Sequence, residues 1–217
     1  SYLLLPFSLI TLAVNFLKKV LNKTKTNNSL NVKSICIGNI YIGGTGKTPI
    51  CVKINKILNT LKYKTAFIKK FYSDQLDEQK ILANNGKLFC EKNRSDGIKK
   101  ASSENIQVII FDDGLQDKKI QYDISFVCFN IENWIGNGLL LPAGPLRENI
   151  NTLKKYDAVF LNGNDENIHS ISNLIKNINP NIKIFESQYE PSNLEKFDLS
   201  NDYIAFSGIG NHNTFLK

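Results

Sequence analysis

Gly43-Gly44-Thr45-Gly46-Lys47-Thr48 is the stretch that most narrows what this chain can fold into. A strand-like run, Val32–Ile37, precedes it, and a helical run from Ile50 to Leu61 follows. Strand, glycine-rich turn and helix in this order make a unit whose turn closes around phosphate oxygens. Glycines let successive backbone N–H groups point inward, and the helix N-terminus adds positive potential. In such a loop Lys47 reaches the β- and γ-phosphates of a nucleotide, and the Thr48 hydroxyl ligates Mg²⁺. The strict spacing G-x-x-x-x-G-K-[ST] would start on a glycine at position 41, where this chain has Tyr41.

The complementary half of a nucleotide site is an apolar strand ending in an acid that holds Mg²⁺ through its water shell. Val108-Ile109-Ile110-Phe111-Asp112-Asp113 has that form. Asp-Asp-Gly on its own is equally a turn sequence, and the pairing of the two motifs is what points to a nucleotide. Ala158-Val159-Phe160-Leu161-Asn162-Gly163-Asn164-Asp165 lacks the lysine of a guanine-reading Asn-Lys-x-Asp and reads as a strand and turn, so ATP is the expected nucleotide.

Around these motifs strands are expected near 32–37, 65–68, 87–89, 107–111, 124–129, 158–162, 182–189 and 203–207. Helices are expected near 7–22, 48–62, 76–84, 95–103 and 166–178. Alternation of this kind implies an α/β fold, a mostly parallel sheet of the P-loop NTPase type with helices on both faces. The expected organisation is an interfacial helix over 1–23, a P-loop kinase domain over 31–189, a linker over 190–203 around Glu190-Pro191-Ser192-Asn193, and the start of a second α/β domain over 204–217.

Residues 1–17 carry no charged side chain, short of the roughly 20 apolar residues that span a bilayer. Ser8, Thr11, Asn15, Lys18 and Asn22 draw one polar stripe on a helix, and Phe7, Ile10, Val14, Leu17 and Leu21 draw an apolar one. A core-packing helix has the same pattern. The charge separates the two readings: of the net +7, five charges come from Lys18, Lys19, Lys23, Lys25 and Lys33, with no acid among the first 33 residues. Basic residues beside an apolar helix point to an anionic membrane surface, and the near-balance of charge over the rest of the chain, a net +2, points away from nucleic acid. Cys36, Cys51, Cys90 and Cys128 form no C-x-x-C pair and are expected as free thiols in a reducing compartment.

Two further stretches, Gly136-Asn137-Gly138-Leu139-Leu140-Leu141-Pro142-Ala143-Gly144-Pro145-Leu146-Arg147-Glu148 and Phe206-Ser207-Gly208-Ile209-Gly210, are too unusual to be generic. Together with G-G-T-G-K-T-P and D-D-G-L-Q, in this order, they make the chain resemble the tetraacyldisaccharide 4'-kinases, the lipid A 4'-kinases of Gram-negative bacteria. The resemblance implies transfer of the γ-phosphoryl of ATP to the 4'-hydroxyl of a lipid-linked disaccharide 1-phosphate, giving lipid IVA. It implies a peripheral location at the cytoplasmic face of the inner membrane. Gly43, Gly44, Thr45, Gly46, Lys47 and Thr48 match the family's phosphate loop, Asp112 and Asp113 its acids near the metal, and Glu148 the glutamate closing P-A-G-P-L-R-E. Asp77 in Leu76-Asp77-Glu78-Gln79 resembles the aspartate of Gly-Asp-Glu-Pro, the base that takes the sugar hydroxyl proton.

The chain also departs from the family pattern. Lys70 and Phe71 stand where Arg and Gly are usual, the segment from Lys69 to Asp77 is shortened, and Asp117 replaces a histidine. On the resemblance the chain reads as C-terminally truncated, with a histidine that pairs with the catalytic aspartate falling beyond Lys217, possession of which would pass to a separately encoded lobe. Three readings stand at this point. One is a lipid A 4'-kinase. Another is a non-catalytic nucleotide-binding remnant or half of a split kinase. The third is a P-loop protein of the dethiobiotin-synthetase or metallochaperone kind, which leaves P-A-G-P-L-R-E unexplained.

Overall fold

The computed structural model of the chain describes residues 32–163, 167–188, 190, 194–198 and 200–204, together with Leu4. Seven strands form one sheet: β1 (Lys33–Gly38), β2 (Thr65–Lys70), β3 (Leu88–Glu91), β4 (Val108–Asp112), β5 (Ile124–Asn130), β6 (Ala158–Asn162) and β7 (Lys183–Ser187). Their order is β3-β2-β4-β1-β5-β6-β7 and every pairing is parallel. Four helices among the described residues connect or flank them: α1 (Lys47–Thr60), α2 (Leu76–Asn85), α3 (Arg94–Ser103) and α4 (Ile168–Ile178).

The central strands are apolar on both sides because helices cover both faces, as a parallel sheet requires. All five residues of β4 are buried. On one face Ile37, Phe67, Ile110 and Cys128 pack with Ile50 and Cys51 of α1 and Leu82 of α2. On the other, Cys36, Ile68, Phe111, Phe129 and Leu161 pack with Ile98 and Ala101 of α3 and with Ile171 and Ile175 of α4. The four cysteines are free, and three of them are buried in these layers as small apolar side chains. Burial pushes the Cys36, Cys51 and Cys128 thiols well above the ordinary thiol range.

After β1 the chain builds β2, β3 and β4 on one side of it, and then β5, β6 and β7 on the other. This reversal at β1 opens a crevice at the carboxyl ends of the strands, the usual ligand position in open α/β sheets. The expected helix over 7–22 lies outside the described residues. Of the expected strand over 203–207, Tyr203 and Ile204 belong to no strand and the remainder lies outside the described residues. The chain divides after Ser187, Gln188 opening a second unit that contains a single 3-10 turn at Leu194–Lys196 among its described residues.

Candidate functional site

The glycine-rich turn leaves β1 at Gly38 and enters α1 at Lys47. Gly43 (φ 134°) and Gly46 (φ 76°) take backbone conformations that side chains resist, which is why this turn is built from glycine. Gly46 is the N-cap of α1 and offers no side-chain cap, so the free N–H groups of the first turn are available to a ligand. Buried Asn39 braces the turn from inside by donating to the Gly43 carbonyl at 3.4 Å, and Asn162 of β6 donates to the Thr45 carbonyl. Tyr41, the residue at odds with the strict spacing, is buried. Its ring stacks on Phe129 at 6.2 Å, and its hydroxyl accepts from the Asn130 N–H at 3.3 Å. This position is a core anchor, and the first left-handed turn comes at Gly43 instead.

Thr48 and Asp112, 64 positions apart in the chain, meet at the end of β4: the Thr48 hydroxyl donates to Asp112 Oδ2 at 3.2 Å. The same oxygen accepts from Lys69 Nζ at 2.7 Å, and Lys69 also donates to Glu78 Oε2 at 2.5 Å. Lys69 faces Asp112 directly across the β2–β4 register. The two side chains are 2% and 0% exposed, so each is the other's counter-charge in a water-poor setting. Burial opposes the charge on Lys69, but the Asp112 and Glu78 carboxylates outweigh it and hold the ammonium above the usual lysine range. Asp112 Oδ1 and Thr45 Oγ1 are buried and have no hydrogen-bond partner among the described residues. Lys47 is half-buried and forms no hydrogen bond or ion pair among the described residues.

A hydroxyl on the first turn of α1 beside a carboxylate with one orphaned buried oxygen is a donor set that suits Mg²⁺, a hard cation that keeps several waters and shares substrate phosphates. Among the described residues no three His, Cys, Asp or Glu side chains converge as an all-protein metal cage.

The segment Gly136–Glu148 is laced against the loop between β1 and α1. The Ile42 N–H donates to the Pro145 carbonyl at 2.8 Å, and the Arg147 N–H to the Ile40 carbonyl at 2.7 Å. Arg147 then reaches under the loop, donating to Asn39 Oδ1 at 2.9 Å and to Asp113 Oδ1 at 3.1 Å. Asp113 has φ 55° and leaves the direction of β4, so the two adjacent acids separate: Asp112 to Thr48 and Lys69, Asp113 to Arg147. Glu148 accepts from Gln116 at 3.1 Å and pairs with Lys155 at 3.2 Å. Burial, with the Glu148 charge nearby, pushes the Tyr156 phenol above its usual range. Asp117, where the family pattern has histidine, is ion-paired with Arg94 at 3.4 Å, and Arg94 also holds the Asp113 carbonyl.

The sheet thus brings Lys47, Thr48 and Asp112 to one place, with Asp113 and Glu148 joined to it through Arg147, Asn39 and Gln116. Asp77 is exposed on the first turn of α2 and forms no hydrogen bond or ion pair among the described residues. Its neighbour Glu78 is the residue tied to the buried cluster. Sequence reasoning passed over Lys69, Asn39 and Arg147 as site residues. Lys69 and Lys70 close an apolar strand, where lysines ordinarily read as the point at which the chain meets water. The alternation of Lys69 with Phe67, which is buried on the same face, was the available signal.

A family model described as tetraacyldisaccharide-1-P 4'-kinase matches residues 1–217. The tetraacyldisaccharide 4'-kinase of Pelagibacter ubique is 55% identical over 217 residues, covering 100% of this chain and 68% of that protein. Among solved structures, LpxK from Aquifex aeolicus in complex with ATP superposes with a TM-score of 0.60 at 18% identity, covering 95% of this chain and 85% of the other. The hydrogenase maturation factor HypB from Archaeoglobus fulgidus gives 0.52 at 14% identity, with 73% and 82% covered. The sheet is therefore shared with proteins of other activities, and the function rests on the sequence relatives and the site.

Proposed function

The chain belongs to the tetraacyldisaccharide-1-P 4'-kinase family, and on that premise we propose that it performs the ATP-dependent phosphorylation of the 4'-hydroxyl of a tetraacyldisaccharide 1-phosphate in lipid A biosynthesis. The observation that carries this reading is the meeting of Thr48 with Asp112 beside the unengaged Lys47, at the mouth of the glycine loop. The loop N–H groups and the α1 N-terminus bind the triphosphate, and Lys47 offsets charge on the β- and γ-phosphates. Thr48 and Asp112 would hold Mg²⁺, which when bound would draw electron density from the phosphate oxygens. The acceptor oxygen attacks the γ-phosphorus as the bond to the β–γ bridging oxygen breaks. ADP leaves, and the hydroxyl proton passes to the Asp77 carboxylate. An exposed, unpaired aspartate at the start of α2 is free to receive that proton.

Asp113 and Glu148 act from the rim of the site, through the Arg147 and Gln116 contacts that brace the loop. The acceptor is lipid-linked, and the protein meets it at an anionic membrane surface, the cytoplasmic face of the inner membrane. No helix among the described residues is long and apolar enough to cross a membrane. The basic segment 1–23 supplies the contact.

Calorimetry with ATP and Mg²⁺ tests the site. Lys47→Ala removes a charge-assisted contact, so ATP affinity should fall by about tenfold or more. Equal affinity in the two proteins contradicts the assignment.

A further inference from the structure

Lys69 is the buried ion of this site that the phosphoryl-transfer reading leaves without a task. Its ammonium lies 2.7 Å from Asp112 Oδ2 and 2.5 Å from Glu78 Oε2, with the side chain 2% exposed. The Thr48 hydroxyl donates to the same Oδ2 at 3.2 Å, while Oδ1 of that carboxylate is buried without a partner among the described residues. Asp112 is therefore already neutralised by a fixed protein cation on one oxygen. Lys69 in turn is divided between two carboxylates, one fully buried and one 38% exposed on the first turn of α2. Lys70, the next residue, contacts the Tyr72 ring and takes no part in this cluster.

Resting on the reading that Thr48 and Asp112 hold the divalent cation, we infer that Lys69 is a built-in counter-cation that competes with it for Asp112. Glu78 draws Lys69 away, so these two side chains set how tightly a divalent cation binds. The physics is a charge balance at close range. Replacing Lys69 by a neutral side chain leaves a fully buried carboxylate uncompensated, and a divalent cation gains the attraction that the ammonium had offset. Replacing Glu78 by its amide commits Lys69 wholly to Asp112 and opposes the cation more strongly. Lys69 is a positioning residue in this scheme: it touches Asp112 and acts through it. The two substitutions have opposite signs, whereas a purely structural role would weaken the site in both.

Mn²⁺ binding to the nucleotide-free protein, read from the electron paramagnetic resonance signal of free Mn²⁺, tests the inference without any turnover. Lys69→Met should bind Mn²⁺ about tenfold more tightly than the unmodified chain, Lys69→Arg close to it, and Glu78→Gln severalfold more weakly. Asp112→Asn should abolish the binding. If Lys69→Met fails to fold by circular dichroism, the weaker binding of Glu78→Gln carries the inference. Unchanged or weaker Mn²⁺ binding in folded Lys69→Met overturns it. So does unchanged or tighter binding in Glu78→Gln, binding insensitive to Asp112→Asn, or no measurable binding in any form. Those failures differ from failure of the kinase reading, which shows as ATP affinity indifferent to Lys47→Ala.

Discussion

Arg147 illustrates how much of this site depends on single side chains placed by distant parts of the chain. It bonds Asn39 and Asp113, residues 108 and 34 positions away, and Asn39 in turn is 1% exposed and braces the Gly43 carbonyl. Both bonds leave one guanidinium nitrogen, Nη1, whose N–H directions are fixed by the planar group, whereas a lysine ammonium would have to hold both partners from a flexible stem. Arg147→Ala removes the donor to the buried Asn39 side-chain oxygen, Oδ1, and should destabilise the protein by about 1–3 kcal/mol. Arg147→Lys should recover only part of that. Urea unfolding checks both, and an Arg147→Ala variant as stable as the parent would show that the contact is idle. Asp77 is the residue on which acceptor chemistry is proposed to turn. Asp77→Asn should lower kcat by ~10²-fold or more and leave ATP affinity unchanged. A kcat that survives that change moves the proton acceptor elsewhere.

At the scale of elements, the end of the sheet opposite the site is fastened by a repeated device. Asp123, just before β5, accepts from the Ser34 N–H at 2.8 Å and from its hydroxyl at 2.6 Å, tying β5 to β1. Asp157, just before β6, makes the same two bonds to Ser125 at 2.8 and 2.6 Å, tying β6 to β5. Burial opposes the Asp123 charge, yet the Ser34 and Lys33 contacts outweigh it and hold the carboxyl below its usual range. A carboxyl depressed in the folded state adds stability above its unfolded pKa, and that stability is lost as pH falls through the folded value. Asp123→Ala should therefore cost about 1 kcal/mol at neutral pH, and the difference in melting temperature from the parent should shrink in acid. A difference independent of pH contradicts this.

The strands themselves were legible because buried parallel strands read as continuous apolar runs, as Val108–Phe111 does, and the phosphate loop because only glycine fits its backbone. The clamps and the Lys69 cluster were not. They are made between residues tens of positions apart, and an Asp before a strand or a Lys at its end carries no local sign of its partner. The separation of Asp112 from Asp113 was equally hidden, since it depends on one left-handed residue that sequence alone writes as an ordinary Asp-Asp-Gly turn.

For the molecule as a whole, the proposed function joins a nucleotide site to a lipid acceptor, and segment 1–23 is the proposed link. Deleting it should release the protein from anionic vesicles, while high salt should weaken binding by the intact chain only in part, since apolar insertion survives screening of the lysines. Co-sedimentation unchanged by the deletion would remove the membrane role from that segment. The central claim, phosphoryl transfer from ATP at the Lys47–Thr48–Asp112 site, is tested most directly by incubating the protein with γ-labelled ATP and tetraacyldisaccharide 1-phosphate, any C-terminal lobe being supplied alongside. Label should appear in the lipid at the 4' position and vanish with Lys47→Ala. Lipid that stays unlabelled while ATP binds normally, or labelling that persists in Lys47→Ala, would contradict it.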